Sequence, residues 1–314
     1  MSALVWSVLL SLVSAVAYAG GAIVQERVAE TSPASAYAPL RRPAWWGAGC
    51  LNGLGALLHV IALAYGPLSL VQPLGALTIV LALPMAALLV RRRAGATAWR
   101  GAIMATVGLA GLLALTGAAS EDSLDGAERL LVGLITAGGV LVLMMSARAA
   151  HRHPVVRAVL LAVAAGSSFG MASVFTKSVA VDWSGRPVQQ LGTLLAIAAL
   201  ATAGMLLSQA SYRGAGLAAP LATATVVNPV VAAAVGLTLF GETFRHGTIG
   251  TVLALGCGVV AAGGLILLTT ERIGRDRDAR VISQHTPAVP DSPAGLEGMP
   301  KPSRRDRADR NVRS

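Results

Sequence analysis

Long apolar stretches separated by short breaks constrain this sequence more than any other feature. A helix of about 20 apolar residues crosses a bilayer core of about 30 Å. Nine stretches meet this requirement, at residues 3–25, 44–65, 67–90, 99–119, 129–147, 157–177, 190–212, 217–240 and 247–269. Only 13% of the residues are charged, whereas a soluble chain carries about 25%. The sequence therefore predicts an all-α, polytopic membrane protein with nine transmembrane helices.

The basic residues fall mostly on one side of the predicted membrane. With nine spans, 21 of the 25 Lys and Arg residues lie on the side that holds the C-terminus. Because cytoplasmic loops carry the excess of basic residues, we expect an external N-terminus and a cytoplasmic C-terminus, in a bacterial-type inner membrane. The net charge of +10 thus reflects topology. A nucleic-acid partner is not expected, since it needs basic residues interleaved with aromatic ones on a folded face.

An internal repeat organises the predicted helices. Residues 8–29 align without gaps with residues 159–180, and each segment precedes a span ending in tyrosine, a span with two prolines and a glycine-rich span. Helices 1–4 then correspond to helices 6–9. Because the linker helix 5 adds one crossing, the second repeat is inverted, as in alternating-access transporters. The predicted units are a first four-helix repeat, the linker helix with its loops, a second four-helix repeat and a disordered basic cytoplasmic tail, at residues 1–119, 120–150, 151–270 and 271–314.

Residues 45–79 carry a resemblance to a known family. They contain Trp45-Trp46, the junction Tyr65-Gly66-Pro67 and the run LVQPLGAL at residues 70–77. In these marks the chain resembles the NIPA-type magnesium transporters of the EamA-like drug/metabolite transporter (DMT) superfamily. The second half is similar in Tyr212, in the proline-bearing helix that ends in LFGE at residues 239–242, and in Gly250. The resemblance implies a transporter fold and, for the NIPA branch, magnesium as the transported ion.

One position departs from the family pattern. Where that pattern has an acidic residue in the second helix, this sequence has Ala56. No Asp or Glu lies in the interior of a predicted span, and Glu26, Glu128 and Glu242 lie at span ends. We expect Glu26 to reach the cytoplasmic headgroups. Because magnesium binds carboxylates, the residues favour a small metabolite or drug-like solute. A NIPA-like magnesium transporter and a non-transporting membrane scaffold or regulator are the alternatives.

Polar and aromatic residues inside the predicted helices are the candidates for a substrate site, because polar groups in a membrane face the protein interior and mark pathways or helix contacts. The candidate substrate-binding residues are Tyr18, Asn52, His59, Gln72, Thr78, Ser168, Phe169, Gln209, Thr225 and Asn228. Proline removes a backbone hydrogen bond and kinks a helix. The candidate kinks are at Pro73, Pro84, Pro220 and Pro229.

No pattern in the sequence indicates an enzyme. It contains neither an HExxH motif nor a phosphate-binding loop, and its two cysteines, Cys50 and Cys257, lie in separate apolar runs. Such placement is not typical of a disulfide framework or a thiolate metal site. We expect no catalytic residue, no metal site and no cofactor. The expected partners are a small-molecule substrate and the lipid bilayer, and no feature of the sequence indicates a homodimer.

Overall fold

The computed structural model describes residues 3–33, 38–65, 71, 74–90, 94–116, 124–182, 187–239 and 244–285. Within these ranges all regular structure is helical, apart from one antiparallel bridge between Thr116 and Phe244. The α-helices are α1 Ala3–Thr31, α2 Pro43–Tyr65, α3 Thr78–Val90, α4 Ala96–Leu115, α5 Gly126–Ala149, α6 Pro154–Val181, α7 Leu191–Ser211, α8 Ala218–Leu239 and α9 Gly247–His285. Two short 3-10 helices, Pro39–Arg41 and Pro187–Gln190, precede α2 and α7.

Eight helices in the described ranges are long and apolar enough to cross a membrane, namely α1, α2 and α4 to α9. A shorter apolar helix covers Leu74–Leu89. It falls within the predicted span 67–90, where residues 67–70, 72 and 73 lie outside the described part of the chain. The prediction of an all-helical, multi-pass membrane protein is confirmed. The count of nine spans stays a prediction.

Helix α9 is longer than the last predicted span. It continues to His285, so residues 271–285, which the sequence assigns to a disordered tail, are helical. Arginine and alanine, which occur in this segment, favour a helix. The chain divides into two compact units, Met1–Gly274 and Arg275–Ser314. Residues 286–314 of the predicted tail lie outside the described residues.

Helices α1 and α2 pack as an antiparallel pair with a seven-residue contact spacing. The Ser7 hydroxyl donates to the carbonyl of Ala62 at 3.0 Å, and the Ser14 hydroxyl donates to the carbonyl of Gly55 at 2.7 Å. Seven residues after Ser14, Gly21 lies against Ala48 of α2. A Cβ added to Gly21 would lie 3.2 Å from the Ala48 carbonyl oxygen. Because hydroxyls and small residues allow helices to approach closely in lipid, this face of α1 fixes the position of α2.

Helices α4 and α9 approach each other backbone to backbone. A Cβ added to Gly101 would lie 2.8 Å from the Gly264 carbonyl oxygen, and one added to Gly264 would lie 2.6 Å from that of Gly101. Further along α4, a Cβ at Gly108 would lie 2.6 Å from the carbonyl oxygen of Cys257. The contacting residues have increasing numbers along α4 and decreasing numbers along α9, so the two helices are antiparallel.

Interhelical contacts also sort the helix ends into two sets. The Arg213 guanidinium donates to the Pro33 carbonyl at 3.0 Å, which joins the end of α1 to the end of α7. The backbone amide of Gly95 donates to Glu271 Oε1 at 3.2 Å, which joins the start of α4 to α9. We call this side of the molecule the arginine end. The basic residues at this end include Arg27, Arg41, Arg42, Arg100, Arg148, Arg152, Arg157 and Arg213.

The opposite end of the molecule holds fewer basic residues in the described ranges. There the Arg245 amide donates to the Leu115 carbonyl at 2.8 Å, joining the end of α4 to the start of α9. Arg129 forms an ion pair with Asp182, joining the start of α5 to the end of α6. The described basic residues at this end are Arg129, Lys177 and Arg245. The basic residues thus concentrate at one end of the helices.

Candidate functional site

One face of α2 gathers several predicted site residues. Asn52 and His59 are seven residues apart and therefore lie on the same side of the helix. The Asn52 amide oxygen lies against Gly21 of α1, and the Tyr18 ring lies against Gly55, 3.1 Å from the place that a Cβ would take. The structure therefore brings Tyr18 and Asn52 to the contact between α1 and α2, whereas the His59 ring lies 3.5 Å from the place of a Cβ at Gly75. All three side chains are half-buried.

The second half of the chain shows a similar arrangement around α6. The Phe169 ring covers Gly204 of α7, with ring atom Cε1 2.8 Å from the place of a Cβ. Gly170 lies against the Asn228 carbonyl of α8, 2.5 Å from the place of a Cβ. Thr225 is three residues before Asn228, so the two half-buried side chains share one side of α8. Phe169, Thr225 and Asn228 are therefore associated with the contacts that α6 makes to α7 and α8.

Tyr18 and Phe169, which the predicted repeat makes equivalent, have equivalent surroundings. Each ring lies on a glycine of the following helix, Gly55 or Gly204. Both rings are half-buried. Only glycine leaves room for an aromatic ring at this separation, so each ring fills a gap between two helices. We infer that their first role is to set the spacing of α1 with α2 and of α6 with α7.

Two candidate hydroxyls are satisfied within their own helical segments. Thr78 donates to the Gly75 carbonyl at 2.8 Å, and Ser168 donates to the Ala164 carbonyl at 2.9 Å. Both side chains are buried. Because their donors already have partners, neither residue needs a ligand to complete its hydrogen bonding. Gln72, the other candidate near Thr78, lies outside the described residues.

The predicted kinks have different outcomes. Pro84 and Pro229 lie inside α3 and α8, where each removes a helical hydrogen bond and frees the carbonyl four residues earlier. The prediction for Pro220 is wrong, because it is the third residue of α8. The first four amides of a helix have no intrahelical partner, so a proline there breaks no bond. Pro73 lies outside the described residues.

Glu26 is buried, contrary to the prediction that it reaches the headgroups. Its exposed fraction is 3%, and its carboxylate lies close enough to the Tyr212 hydroxyl to act on it electrostatically. The cause is its position on α1, where buried residues recur at spacings of four and three. They are Ala15, Ala19, Ala22, Glu26 and Ala29. This spacing keeps them on one face. A carboxylate therefore does occur in the protein interior.

Glu26 belongs to a buried polar group at the arginine end, which we call the Glu26 cluster. Gln209 Nε2 donates to the Gln25 carbonyl at 2.9 Å, Ser211 donates to the Ser208 carbonyl at 2.6 Å, and Ser208 donates to the Tyr212 hydroxyl at 3.4 Å. All members are buried. The cluster consists of Gln25, Glu26, Ser208, Gln209, Ser211 and Tyr212. Sequence reasoning found Gln209 alone as a site residue; the four-and-three spacing on α1 was the signal for Glu26.

Two amide atoms of the Glu26 cluster have no hydrogen-bond partner among the described residues. They are Gln25 Nε2, a donor, and Gln209 Oε1, an acceptor. The two side chains are 2% and 4% exposed, so bulk water does not cover them. Buried polar atoms are nearly always paired in folded proteins. The cluster therefore holds one donor and one acceptor that no described residue satisfies.

The helix pair α1–α2 meets α7 near the arginine end. One contact is the hydrogen bond from Gln209 to Gln25. The other is between Met205 and Gly49, where an added Cβ would lie 3.0 Å from the Met205 methyl carbon. Both positions on α7 are within its last two turns. The Glu26 cluster is thus located where helices of the two predicted repeats touch.

Comparisons with known proteins add one relative. The chain is 28% identical over 256 residues to an uncharacterised protein of Corynebacterium glutamicum, an alignment that covers 76% of this chain and 86% of that protein. No family model matches the chain. No solved structure matches it either. The class that the fold itself defines is that of all-helical, multi-pass membrane proteins.

Proposed function

We propose that the protein is a DMT-type transporter that moves a small organic solute across the membrane by alternating access. The observation that carries the proposal is the opposed direction of two similarly packed helix pairs. Helix α1 ends at the arginine end, where the Pro33 carbonyl accepts from Arg213, and its Tyr18 ring covers a glycine of α2. Helix α6 begins at the arginine end, and its Phe169 ring covers a glycine of α7. Such inverted pairs are the construction of secondary transporters.

The remaining helices support the same organisation. In the predicted repeats α4 and α9 are equivalent, and they pack antiparallel through Gly101 and Gly264 in a reciprocal contact. A two-fold relation between inverted repeats would place equivalent helices against each other in this way. In the proposed cycle, one set of helices rocks against the other and exposes the binding site alternately to the two sides.

The half-buried side chains favour an organic solute. Asn52, His59 and Asn228 provide amide and imidazole groups, which make directional hydrogen bonds at a lower desolvation cost than a site for a dication. The magnesium alternative is favoured by one observation, the buried carboxylate of Glu26. The scaffold alternative would need no bound solute at all. A binding measurement distinguishes the transporter from the scaffold.

Replacing Asn228 by alanine is expected to weaken solute binding at least tenfold, because its half-buried amide is on the same side of α8 as Thr225. The measurement is a thermal-shift titration of the purified full chain with amino acids, nucleosides, drugs and divalent cations, followed by uptake into proteoliposomes. The control is Thr238→Ala on the same helix, since Thr238 is exposed and donates only to its own helix at Ala234. If no solute stabilises or crosses with the protein, the scaffold replaces the transporter.

The arginine end is expected to face the cytoplasm, since cytoplasmic loops carry the excess of basic residues. Reporter fusions after Arg93 and Arg280 should both read as cytoplasmic, and a fusion after Gly126, at the start of α5, should read as external. An external reading for the Arg93 fusion would contradict the predicted number of spans. Opposite readings at all three points would reverse the orientation.

A further inference from the structure

We propose that the arginine end is the closed gate of the transporter in this structure, and that one face of α6 is the surface on which a second gate closes at the opposite end. Since it assigns the gates of a transporter, the proposal rests on the transport function proposed above. The observation behind it is the unequal burial of two helix faces that the predicted repeat makes equivalent.

Contacts of α1 and α2 with α7 close the arginine end. Gln209 Nε2 of α7 donates to the Gln25 carbonyl of α1 at 2.9 Å. The Met205 methyl carbon of α7 lies 3.0 Å from the place of a Cβ at Gly49 of α2. We call these four residues the arginine-end gate. Because α1 and α2 belong to one predicted repeat and α7 to the other, the gate holds the two repeats together at this end.

The burial of α7 and α8 agrees with a closed arginine end. All buried residues of α7 lie from Gly204 onwards, toward the end of the helix. Helix α8 begins at the arginine end, and its buried residues lie at Val226 or earlier, apart from Gly236. Both helices are therefore enclosed at the arginine end and less buried toward the opposite end.

One face of α6 carries exposed polar side chains in the half that leads away from the arginine end. Phe169, Ser173 and Thr176 follow one another at spacings of four and three, so they share a face. Ser173 and Thr176 are exposed. The Phe169 ring covers Gly204 of α7, and the adjacent Gly170 lies against α8. We call Phe169, Ser173 and Thr176 the outer face of α6; it lies between the contacts to α7 and those to α8.

The equivalent face of α1 is buried. The gapless alignment of the two repeats matches Ser173 to Ala22 and Thr176 to Gln25. Ala22 and Gln25 are 3% and 2% exposed, and the Gln25 carbonyl takes part in the arginine-end gate. Inverted repeats rock against each other around a central site, so equivalent surfaces close the two ends in turn. We therefore expect the outer face of α6 to become buried when the arginine end opens.

The partner of the outer face is α2, which the repeat makes equivalent to α7. An aromatic ring lies on Gly55 of α2 and on Gly204 of α7, so these glycines are matched positions. Five residues later on each helix, Gln209 is matched by Val60, which is 64% exposed. The second gate therefore brings Val60 against Thr176. Because valine cannot donate the hydrogen bond that Gln209 makes, the conformation closed at the arginine end is favoured.

The test compares thiol reactivity at the matched positions Gln25 and Thr176. Each is replaced by cysteine in a full chain that carries Cys50→Ala and Cys257→Ala, and a charged methanethiosulfonate is added to open membrane fragments. Thr176→Cys should react at least about tenfold faster than Gln25→Cys, because the reagent attacks a thiolate, which forms only in contact with water. The control for a side chain exposed to lipid is Leu134→Cys on α5, 62% exposed, which should stay unreactive.

A second matched pair, Ala22→Cys and Ser173→Cys, provides the same comparison if Gln25→Cys does not elute as a folded protein in gel filtration. Slow reaction of both Ser173→Cys and Thr176→Cys would show that the outer face of α6 meets lipid and would overturn the gate inference. Fast reaction of Gln25→Cys or Ala22→Cys would show an open arginine end and would overturn it as well.

Cross-linking tests the two gates directly. In the same background, a short bifunctional thiol reagent should link Gly49→Cys to Met205→Cys at least about tenfold faster than Val60→Cys to Thr176→Cys, because the favoured conformation closes the arginine end. Equal or reversed rates would overturn the inference. Labelling and cross-linking need no solute, so their failure would leave the transport function standing. The thermal-shift titration with solutes decides that function separately.

Discussion

Replacing Gly264 with alanine is expected to lower the free energy of unfolding by about 1–3 kcal/mol, the usual cost of overfilling a packed interior. The added Cβ would lie 2.6 Å from the Gly101 carbonyl oxygen and 2.9 Å from the Ala105 Cα. These are backbone atoms, so no side chain can rotate away and α4 must move as a whole. The measurement is the melting temperature of the purified protein, which should fall by several degrees.

The control for this substitution lies on the same helix. Gly256 of α9 has no atom within 4 Å of the place of its Cβ among the described residues, so Gly256→Ala meets no obstacle. Alanine is the better helix former by about 0.5–1 kcal/mol, and this variant should be as stable as the original chain or slightly more so. Equal losses for the two variants would mean that α4 and α9 do not pack in the register described above.

Expression of the chain is expected not to restore growth of a bacterial strain that lacks magnesium uptake. Magnesium takes near-octahedral oxygen coordination from one or two carboxylates and retained waters. The described residues include no group of three His, Cys, Asp or Glu side chains that could hold a metal ion. Glu26 is the one carboxylate among the six residues of the Glu26 cluster. A known magnesium transporter expressed from the same vector provides the positive control.

If the chain did restore growth of this strain, the result would bear on the mechanism only if growth depended on the Glu26 cluster. Growth that Glu26→Gln abolishes and Glu30→Gln preserves would show that one buried carboxylate suffices for magnesium. The NIPA-like alternative would then replace the organic solute. Immunoblots of membrane fractions should show equal amounts of the variants, so that a loss of growth reports on transport and not on expression.

The amino-acid sequence predicts the helices better than their contacts. Runs of apolar residues define where a chain crosses a membrane, because hydrophobic length is the dominant constraint. Helix ends are less determined: α9 continues through charged residues to His285, since a helix need not end where its apolar segment does. The prediction for Pro220 failed for a different reason: it lies in the first turn of α8, where a proline breaks no helical hydrogen bond.

The buried carboxylate shows why site prediction was less complete. A charge near the end of an apolar run is compatible with either a headgroup contact or burial against another helix, and hydropathy alone does not separate the two. Glu26 is buried together with Gln209 and Tyr212 of the second half of the chain, nearly two hundred positions away in the sequence. Likewise, the alignment of repeats identifies Tyr18 and Phe169 as equivalent, but the glycines beneath their rings, Gly55 and Gly204, emerge only from the packing.

The serine contacts of α1 make the two helix pairs mechanically unequal. Ser7 and Ser14 donate hydrogen bonds to carbonyls of α2, and the predicted repeat places Ala165 of α6 at the position equivalent to Ser14. Sliding α1 along α2 would break two hydrogen bonds that lipid cannot replace, at about 0.6 kcal/mol each. Ala165 has no hydroxyl and forms no such bond to α7. The first pair therefore resists sliding through two interhelical hydrogen bonds, whereas the second pair is held by the packing of the Phe169 ring on Gly204.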